Sequence, residues 1–175
     1  ITNIFKNKTE IPHQNIEFFN GILCPGFINA HCHLELSHLH NTSNMVNGFS
    51  EFLEIVKKRD KYSKAFIARA IKSAEDQMIK NGIVAVGDIC NTTDTLEIKK
   101  NKKLYYYNFI ESFEVRSKKS SDAIAKALMI RDAFRNNNLK ATITPHSPYS
   151  VTPDLMKLIA NVSDESDYTF SMHNQ

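Results

Sequence analysis

Short apolar runs alternate along the chain with longer amphipathic stretches. The short runs are rich in β-branched and aromatic residues and have the length of strands. They cover residues 27–33, 83–88, 104–110, 139–145 and 168–173. This pattern predicts five strands with helices between them.

Helical periodicity fills the intervals between the strands. Residues 49–80 carry apolar side chains at helical spacing with a polar break near residues 60–63, which predicts two helices. Two further helices are predicted by the N-cap residues Asp122 and Thr152, the second of which precedes a proline at the first helical position. The Asn-rich residues 136–138 are predicted to end the third helix.

Apolar strands that alternate with amphipathic helices predict an α/β fold with a parallel sheet. A doubly wound sheet usually has a glycine-rich phosphate turn after its first strand, whereas residues 31–35 read His-Cys-His-Leu-Glu. Polar residues collect instead at the carboxyl ends of the strands, where a barrel places its chemistry. We therefore predict a TIM-type (β/α) barrel, present in part as about strands one to five.

Charge and composition narrow the range of partners. The 175 residues carry a formal net charge of +3, and their basic residues are scattered. Nucleic acid is therefore not an expected partner. The densest basic runs, at residues 57–59 and 99–103, are predicted to lie in solvent at helix ends.

The apolar runs and the cysteines bear on location. No run approaches the length that spans a bilayer, so a membrane partner is not expected. Cys24, Cys32 and Cys90 show no spacing typical of a disulfide framework or a zinc knuckle. These features predict a cytoplasmic protein.

Two histidines stand at the end of the first predicted strand. His31 and His33 point to the same side of a strand, and Cys32 between them points to the other. Taken alone, the spacing fits either a shared metal ion or an exposed strand that happens to carry histidine. The apolar lead at residues 27–30 favours the metal, because buried neutral imidazoles are stabilised by a cation.

Three segments carry a family resemblance. Residues 25–33, PGFINAHCH, resemble the first-strand signature of the amidohydrolase superfamily, in the branch of cytosine, guanine, aminofutalosine and S-adenosylhomocysteine deaminases and the chlorohydrolases. Residues 144–150, TPHSPYS, are similar to its fourth-strand motif. Residues 171–175, SMHNQ, are similar to the start of its fifth-strand motif. The resemblance spans nearly the whole chain.

The resemblance implies a ligand set and substrate contacts. His31, His33 and His173 would bind one divalent metal ion, zinc in the first place and iron as the alternative. His146 matches a histidine that contacts substrate in the family; the alternative is a histidine that merely ends a strand. Glu35 is a candidate for substrate contact if the first strand continues, whereas a loop there would remove it.

Other polar residues are expected to have structural roles or to lie at the surface. Asp88 and Glu111 end strands two and three, on the functional face of a barrel, and are expected to cap the following turns. His13, His38 and His40 match no motif and are expected at the surface.

The resemblance also implies that parts of the enzyme lie outside this sequence. In the family, a proton-shuttling glutamate follows one position after Gln175, and a sixth-strand histidine and an eighth-strand aspartate come later. We therefore interpret residues 1–24 as the remnant of a small flanking β-domain and residues 25–175 as the first part of the barrel. Such a fragment is expected to be inactive alone, and its open sheet edges predict aggregation or a homo-oligomer.

The function implied is hydrolytic deamination of a small molecule with a purine-like or nucleoside-like ring. One alternative is another amidohydrolase reaction, on a C–Cl or amide bond. The other belongs to a different class, a non-catalytic metal-binding barrel fragment.

Overall fold

Four parallel strands form one sheet in the order β1-β2-β3-β4. The structure is a computed structural model that describes residue 4 and residues 17–40, 48–114, 119–163 and 169–174, apart from the side chains of residues 49, 50 and 60. The strands are β1 (Phe27–Cys32), β2 (Ile83–Cys90), β3 (Tyr105–Ser112) and β4 (Lys140–Pro145). The fold is a partial TIM-type barrel, as the alternation of elements predicted.

Helices connect the strands in the expected order. They are α1 (Phe49–Lys57), α2 (Lys64–Lys80), α3 (Leu96–Lys99), α4 (Ser120–Arg135) and α5 (Pro153–Val162). Two 3-10 helices, at Leu34–Leu39 and Arg59–Lys61, complete the described elements. The 3-10 helix after β1 and the short α3 were not predicted.

Of the two predicted N-cap residues, Thr152 was correct and Asp122 was not. The Ser63 side chain caps α2 at the predicted break by accepting a hydrogen bond from the Phe66 N–H. Thr152 caps α5 in the same way through the Leu155 N–H. The prediction for Asp122 was wrong, because α4 begins at Ser120 and places Asp122 in its first turn, where a carboxylate favours the helix dipole.

Two apolar clusters flank the sheet. One cluster joins β2 and β3 to α2 and to the 3-10 helix after β1. Its buried members are Leu34, Ile71, Val86, Leu104 and Tyr106. The other joins β3 and β4 to α4 and α5, with Ile110, Phe134, Ile143 and Leu155 among its buried residues.

Strands β1 and β2 lie close together at Gly87. A Cβ at this position would stand 2.6 Å from the carbonyl oxygen of Ala30 on β1, which is closer than such atoms can approach. Glycine therefore allows β1 to pair with β2 at this level, directly below the histidines.

The predicted fifth strand is not formed by residues 169–174, and Tyr168 lies outside the described residues. The Ser171 N–H donates to the Thr144 side chain at 3.0 Å. The His173 N–H donates to the carbonyl of His146 at 2.8 Å. The segment thus lies along the end of β4 without a regular ladder, because one of its anchors is a side chain.

The described residues before β1 are extended and exposed. No strand is present at residues 17–26. The apolar side chains there are Phe18, Phe19, Ile22 and Leu23, and each is at least 83% exposed. They have no core to pack against among the described residues, and a two-stranded hairpin alone is marginally stable.

β1 is an edge strand of the described sheet, in line with the expectation of open edges. Phe27 and Ile28 on this strand are 60% and 71% exposed. Over the described ranges, no helix combines the length and apolarity that crossing a bilayer requires.

Candidate metal centre

Three histidine side chains converge at the carboxyl end of the sheet. His31 and His33 come from the end of β1, and His173 comes from the segment beside β4. The Nε2 atoms of His31 and His33 are 3.2 Å apart, and those of His33 and His173 are 3.3 Å apart. One ring nitrogen of each histidine lies within 4.8 Å of the others.

Burial and neighbouring rings lower the pKa of two of the three imidazoles. Burial, followed by the neighbouring rings of His31 and His173, lowers the pKa of His33 to about 4. Burial also lowers the pKa of His31, followed by the effect of His173. Neutral imidazole nitrogens are the donors that zinc and similar ions prefer. The three residues therefore fit a divalent cation.

Cys32 lies on the opposite side of β1, as the residue parity predicted. Its side chain packs against the apolar cluster that contains Val86 and Tyr106. Burial, together with Asp88, raises the pKa of its thiol to about 12. Cys32 is therefore a protonated packing residue and offers no ligand to the centre.

His146 joins the cluster from the end of β4. Its ring lies 4.9 Å from that of His173, and its Nδ1 atom lies 2.9 Å from the hydroxyls of Ser147 and Ser150. Burial lowers the pKa of His146 as well. The structure places it beside the predicted ligands, and its contact with substrate stays a prediction.

Glu111 at the end of β3 contacts the cluster directly. Its Oε1 atom is 3.1 Å from Nδ1 of His173, and its Oε2 atom accepts a hydrogen bond from the Asn91 side chain at 2.8 Å. The expectation that Glu111 caps the next turn was wrong, because its partners come from other segments. The available signal was its position at the end of a strand, on the functional edge of a barrel.

Glu35 lies in the 3-10 helix after β1, so the strand does not continue to it. The carboxylate is 2% exposed and accepts hydrogen bonds from the Arg59 guanidinium, the Thr92 hydroxyl and the main-chain N–H groups of Asn91 and Thr92. The Glu35 carboxylate therefore links the chain that follows β1 to the loop that follows β2. Its contact with substrate stays a prediction.

Asp88 at the end of β2 also departs from the turn-cap expectation. One carboxylate oxygen accepts the Leu34 N–H at 2.8 Å, directly after the predicted ligand His33. The other pairs with Lys99 of α3. The prediction that Lys99 lies in solvent was wrong, because the side chain turns inward to this carboxylate.

The remaining histidines divide between core and surface. His38 is 8% exposed and packs edge-on against Tyr62, with 5.2 Å between the ring centroids, so the surface expectation was wrong. His40 is exposed as expected. His13 lies outside the described residues.

The model of the amidohydrolase family matches residues 22–174, which include every residue of the centre. The chain belongs to the amidohydrolase family. It is 30% identical over 167 residues to an adenosine deaminase of Helicobacter pylori, a match that covers 93% of this chain and 40% of the relative. It is 25% identical to an aminodeoxyfutalosine deaminase of a Nitratiruptor species, over 99% of this chain and 43% of the relative.

Solved deaminase structures have the same fold. The H. pylori aminofutalosine deaminase in complex with methylthio-coformycin matches with a TM-score of 0.66 at 29% identity, over 86% of this chain and 37% of that chain. A zinc-bound adenosine deaminase of Xanthomonas campestris matches with a TM-score of 0.66 at 17% identity, over 85% of this chain and 36% of that chain. The chain thus spans about two fifths of the length of the proteins it resembles.

Proposed function

We propose that the full-length gene product that contains this chain, hereafter the full-length protein, is a metal-dependent hydrolase that deaminates a nucleoside-like or purine-like ring. The observation that carries the proposal is the convergence of the Nε2 atoms of His31, His33 and His173. Support for the reaction comes from the family and from relatives described as adenosine and 5'-deoxyadenosine deaminases.

The three converging histidines are the proposed ligands of one divalent ion, with zinc as the first candidate. An ion bound there would supply Lewis-acid chemistry and make water a nucleophile near neutral pH. The depressed pKa of His33 favours this role, because its ring is neutral and ready to coordinate at physiological pH. Asp88 holds the Leu34 N–H and so fixes the main chain next to His33.

Substrate contact is proposed for His146, with Glu35 as a further candidate. The Ser147 and Ser150 hydroxyls lie against Nδ1 of His146 and fix the ring orientation. The four hydrogen bonds to Glu35 favour a role in shaping the loops that would face a substrate.

Proton transfer is proposed to involve groups from the rest of the full-length protein. In the part of the chain that the structure describes, the carboxylates beside the histidines are already bonded: Glu111 to Asn91 and His173, Glu35 to Arg59, and Asp88 to Lys99. We therefore propose that the 175-residue chain alone has no deaminase activity. We further propose that residues 1–24 belong to a flanking β-domain, that residues 25–175 belong to the barrel, and that the protein is cytoplasmic.

The ligand assignment can be tested by metal analysis. Elemental analysis of the full-length protein is expected to find bound zinc or iron, and His31→Ala is expected to lose it. His40→Ala is the matched control, because His40 is an exposed histidine outside the cluster and its loss should leave occupancy unchanged. Full metal occupancy in His31→Ala would overturn the assignment.

The reaction class can be tested on a substrate panel. Ammonia release is measured with adenosine, 5'-deoxyadenosine, aminodeoxyfutalosine and guanine, beside chlorinated rings and cyclic amides. We expect ammonia from at least one aminated ring. Turnover confined to the chlorinated rings or to the amides would replace deamination by another reaction of the family. Metal binding without any turnover would favour a non-catalytic metal-binding role.

A further inference from the structure

We propose that Glu111 is a positioning residue for His173, whose ring it holds with the proton on Nδ1 and the lone pair of Nε2 directed at the other two histidines. The inference rests on the proposed function, because it concerns a ligand of the same centre. It adds a residue for which the sequence predicted a different role.

The geometry of His173 requires a choice of tautomer. Its Nδ1 atom faces Oε1 of Glu111 at 3.1 Å, and its Nε2 atom faces Nε2 of His33 at 3.3 Å. A neutral imidazole carries one proton, so a proton on Nδ1 leaves Nε2 as an acceptor. A carboxylate can only accept from Nδ1, and this contact therefore selects the tautomer that can coordinate.

Glu111 is itself held in place. The residue is 7% exposed, and its second oxygen accepts a hydrogen bond from the Asn91 side chain at 2.8 Å. The main-chain N–H of Asn91 in turn donates to Glu35 at 3.0 Å, and Glu35 pairs with Arg59 at 2.9 Å. A continuous series of bonds thus leads from Arg59 to the ring of His173.

One competing acceptor stands close to the same proton. The carbonyl oxygen of His146 lies 3.2 Å from Nδ1 of His173. If this carbonyl alone sets the tautomer, Glu111 is dispensable. A carboxylate is the stronger acceptor and raises the basicity of the ligand. The two cases differ in what the loss of the carboxylate does to metal affinity.

A second competing role is that of a direct ligand. Glu111, His146 and His173 each offer an atom, and these atoms lie within 4.8 Å of one another, so the group could hold an ion of its own. In that case the protein would bind two ions and lose one when Glu111 is replaced. A positioning role predicts one ion in both proteins, held less tightly in the variant.

The variants are Glu111→Ala and Glu111→Gln in the full-length protein. Glu114→Gln is the matched control, because Glu114 lies three residues further on, is half-buried and bonds the hydroxyls of Ser120 and Thr152. Zinc affinity is measured by competition with a chelator. We expect a loss of about 10-fold to 100-fold for Glu111→Ala, a smaller loss for Glu111→Gln, whose amide oxygen still accepts, and none for Glu114→Gln.

The tautomer is read directly in the metal-free protein. Nitrogen-15 NMR of the His173 ring is expected to show the proton on Nδ1 in the wild type and in Glu111→Gln, and a mixture of tautomers in Glu111→Ala. This readout does not depend on catalysis. If Glu111→Ala does not fold, Glu111→Gln decides the question through its zinc affinity.

The outcomes separate the two proposals. A wild-type protein that binds no zinc contradicts the proposed function itself. A wild-type protein that binds zinc, together with Glu111 variants of equal affinity and unchanged tautomer, overturns only the positioning role. Two zinc ions in the wild type and one in the variants would overturn it in favour of a direct ligand.

Discussion

Lys99 and Asp88 form an ion pair in which neither side chain has any exposed surface. Lys99 also donates to the side-chain oxygen of Asn108 at 2.6 Å, and the second oxygen of Asp88 accepts the Leu34 N–H. The pair therefore ties α3 to two strands and to the chain that follows His33. Charges that are fully removed from water depend on such complete pairing.

Replacing one partner of this pair should be costly. Lys99→Met leaves the Asp88 carboxylate buried and without its cation, and we expect the free energy of unfolding to fall by about 3–5 kcal/mol. The measurement is urea denaturation of the full-length protein. Lys100→Met is the control, since Lys100 is partly exposed and pairs with the exposed Glu97, and its cost should stay below about 1 kcal/mol. Equal costs for the two variants would contradict the pairing.

Two adjacent tyrosines allow a similar comparison. The Tyr106 hydroxyl donates to Oε1 of the fully buried Glu75 at 3.0 Å, while Tyr105 is 53% exposed. Tyr106→Phe deprives Glu75 of this donor and is expected to destabilise the protein by about 1–3 kcal/mol. Tyr105→Phe should have little effect. Thermal unfolding of both variants checks this prediction. A Tyr106→Phe variant that unfolds at the wild-type temperature would show that the hydrogen bond does not contribute to stability.

Two threonines on β4 differ in what their hydroxyls do. Thr144 exchanges hydrogen bonds with the main chain of Ser171 and so anchors the segment that carries His173. The buried Thr142 hydroxyl has no hydrogen-bond partner within the described ranges. We expect Thr144→Val to weaken zinc affinity and lower stability by about 1–3 kcal/mol, and Thr142→Val to be neutral or stabilising. Zinc affinity is measured by chelator competition and stability by urea denaturation. A larger loss in Thr142→Val than in Thr144→Val would contradict the anchoring role of Thr144.

The cysteines should differ in reactivity. Only the thiolate is alkylated, and a thiol with a pKa of about 12, as for Cys32, is almost wholly protonated at pH 8. Burial raises the pKa of Cys90 well above its usual value, and no part of this residue is exposed. Cys24 is exposed. Iodoacetamide labelling followed by peptide mass spectrometry is expected to modify Cys24 first, and early labelling of Cys32 would contradict the burial.

The strands of the sheet were predictable because each is a compact apolar run. β4, for example, was predicted at residues 139–145 and spans Lys140–Pro145. The 3-10 helix at Leu34–Leu39 was missed, because its two buried leucines are fixed by contacts with distant segments and not by a local period. The fifth strand failed for a related reason: Ser171 bonds a side chain on β4, and strand propensity carries no information about such a contact.

The residues of the centre differ in how far the sequence alone could predict them. Strand parity alone placed His31 and His33 on one face, while His173 was selected only by a family motif. Glu111 was misjudged because its partners, Asn91 and His173, come from separate segments, which no local pattern connects. Lys99 was misjudged because its basic neighbours are typical of a solvated surface, although its own side chain faces inward.

The contact between His33 and His173 joins residues 140 positions apart in the chain. Closing so long a loop costs entropy that is reduced once the intervening strands have formed, so we expect these two rings to meet late in folding. A cation bound there would cross-link the two ends of the described sheet. It would stabilise the completed fold relative to every partly assembled state. The rate of metal binding during refolding would then report the rate of the last folding step.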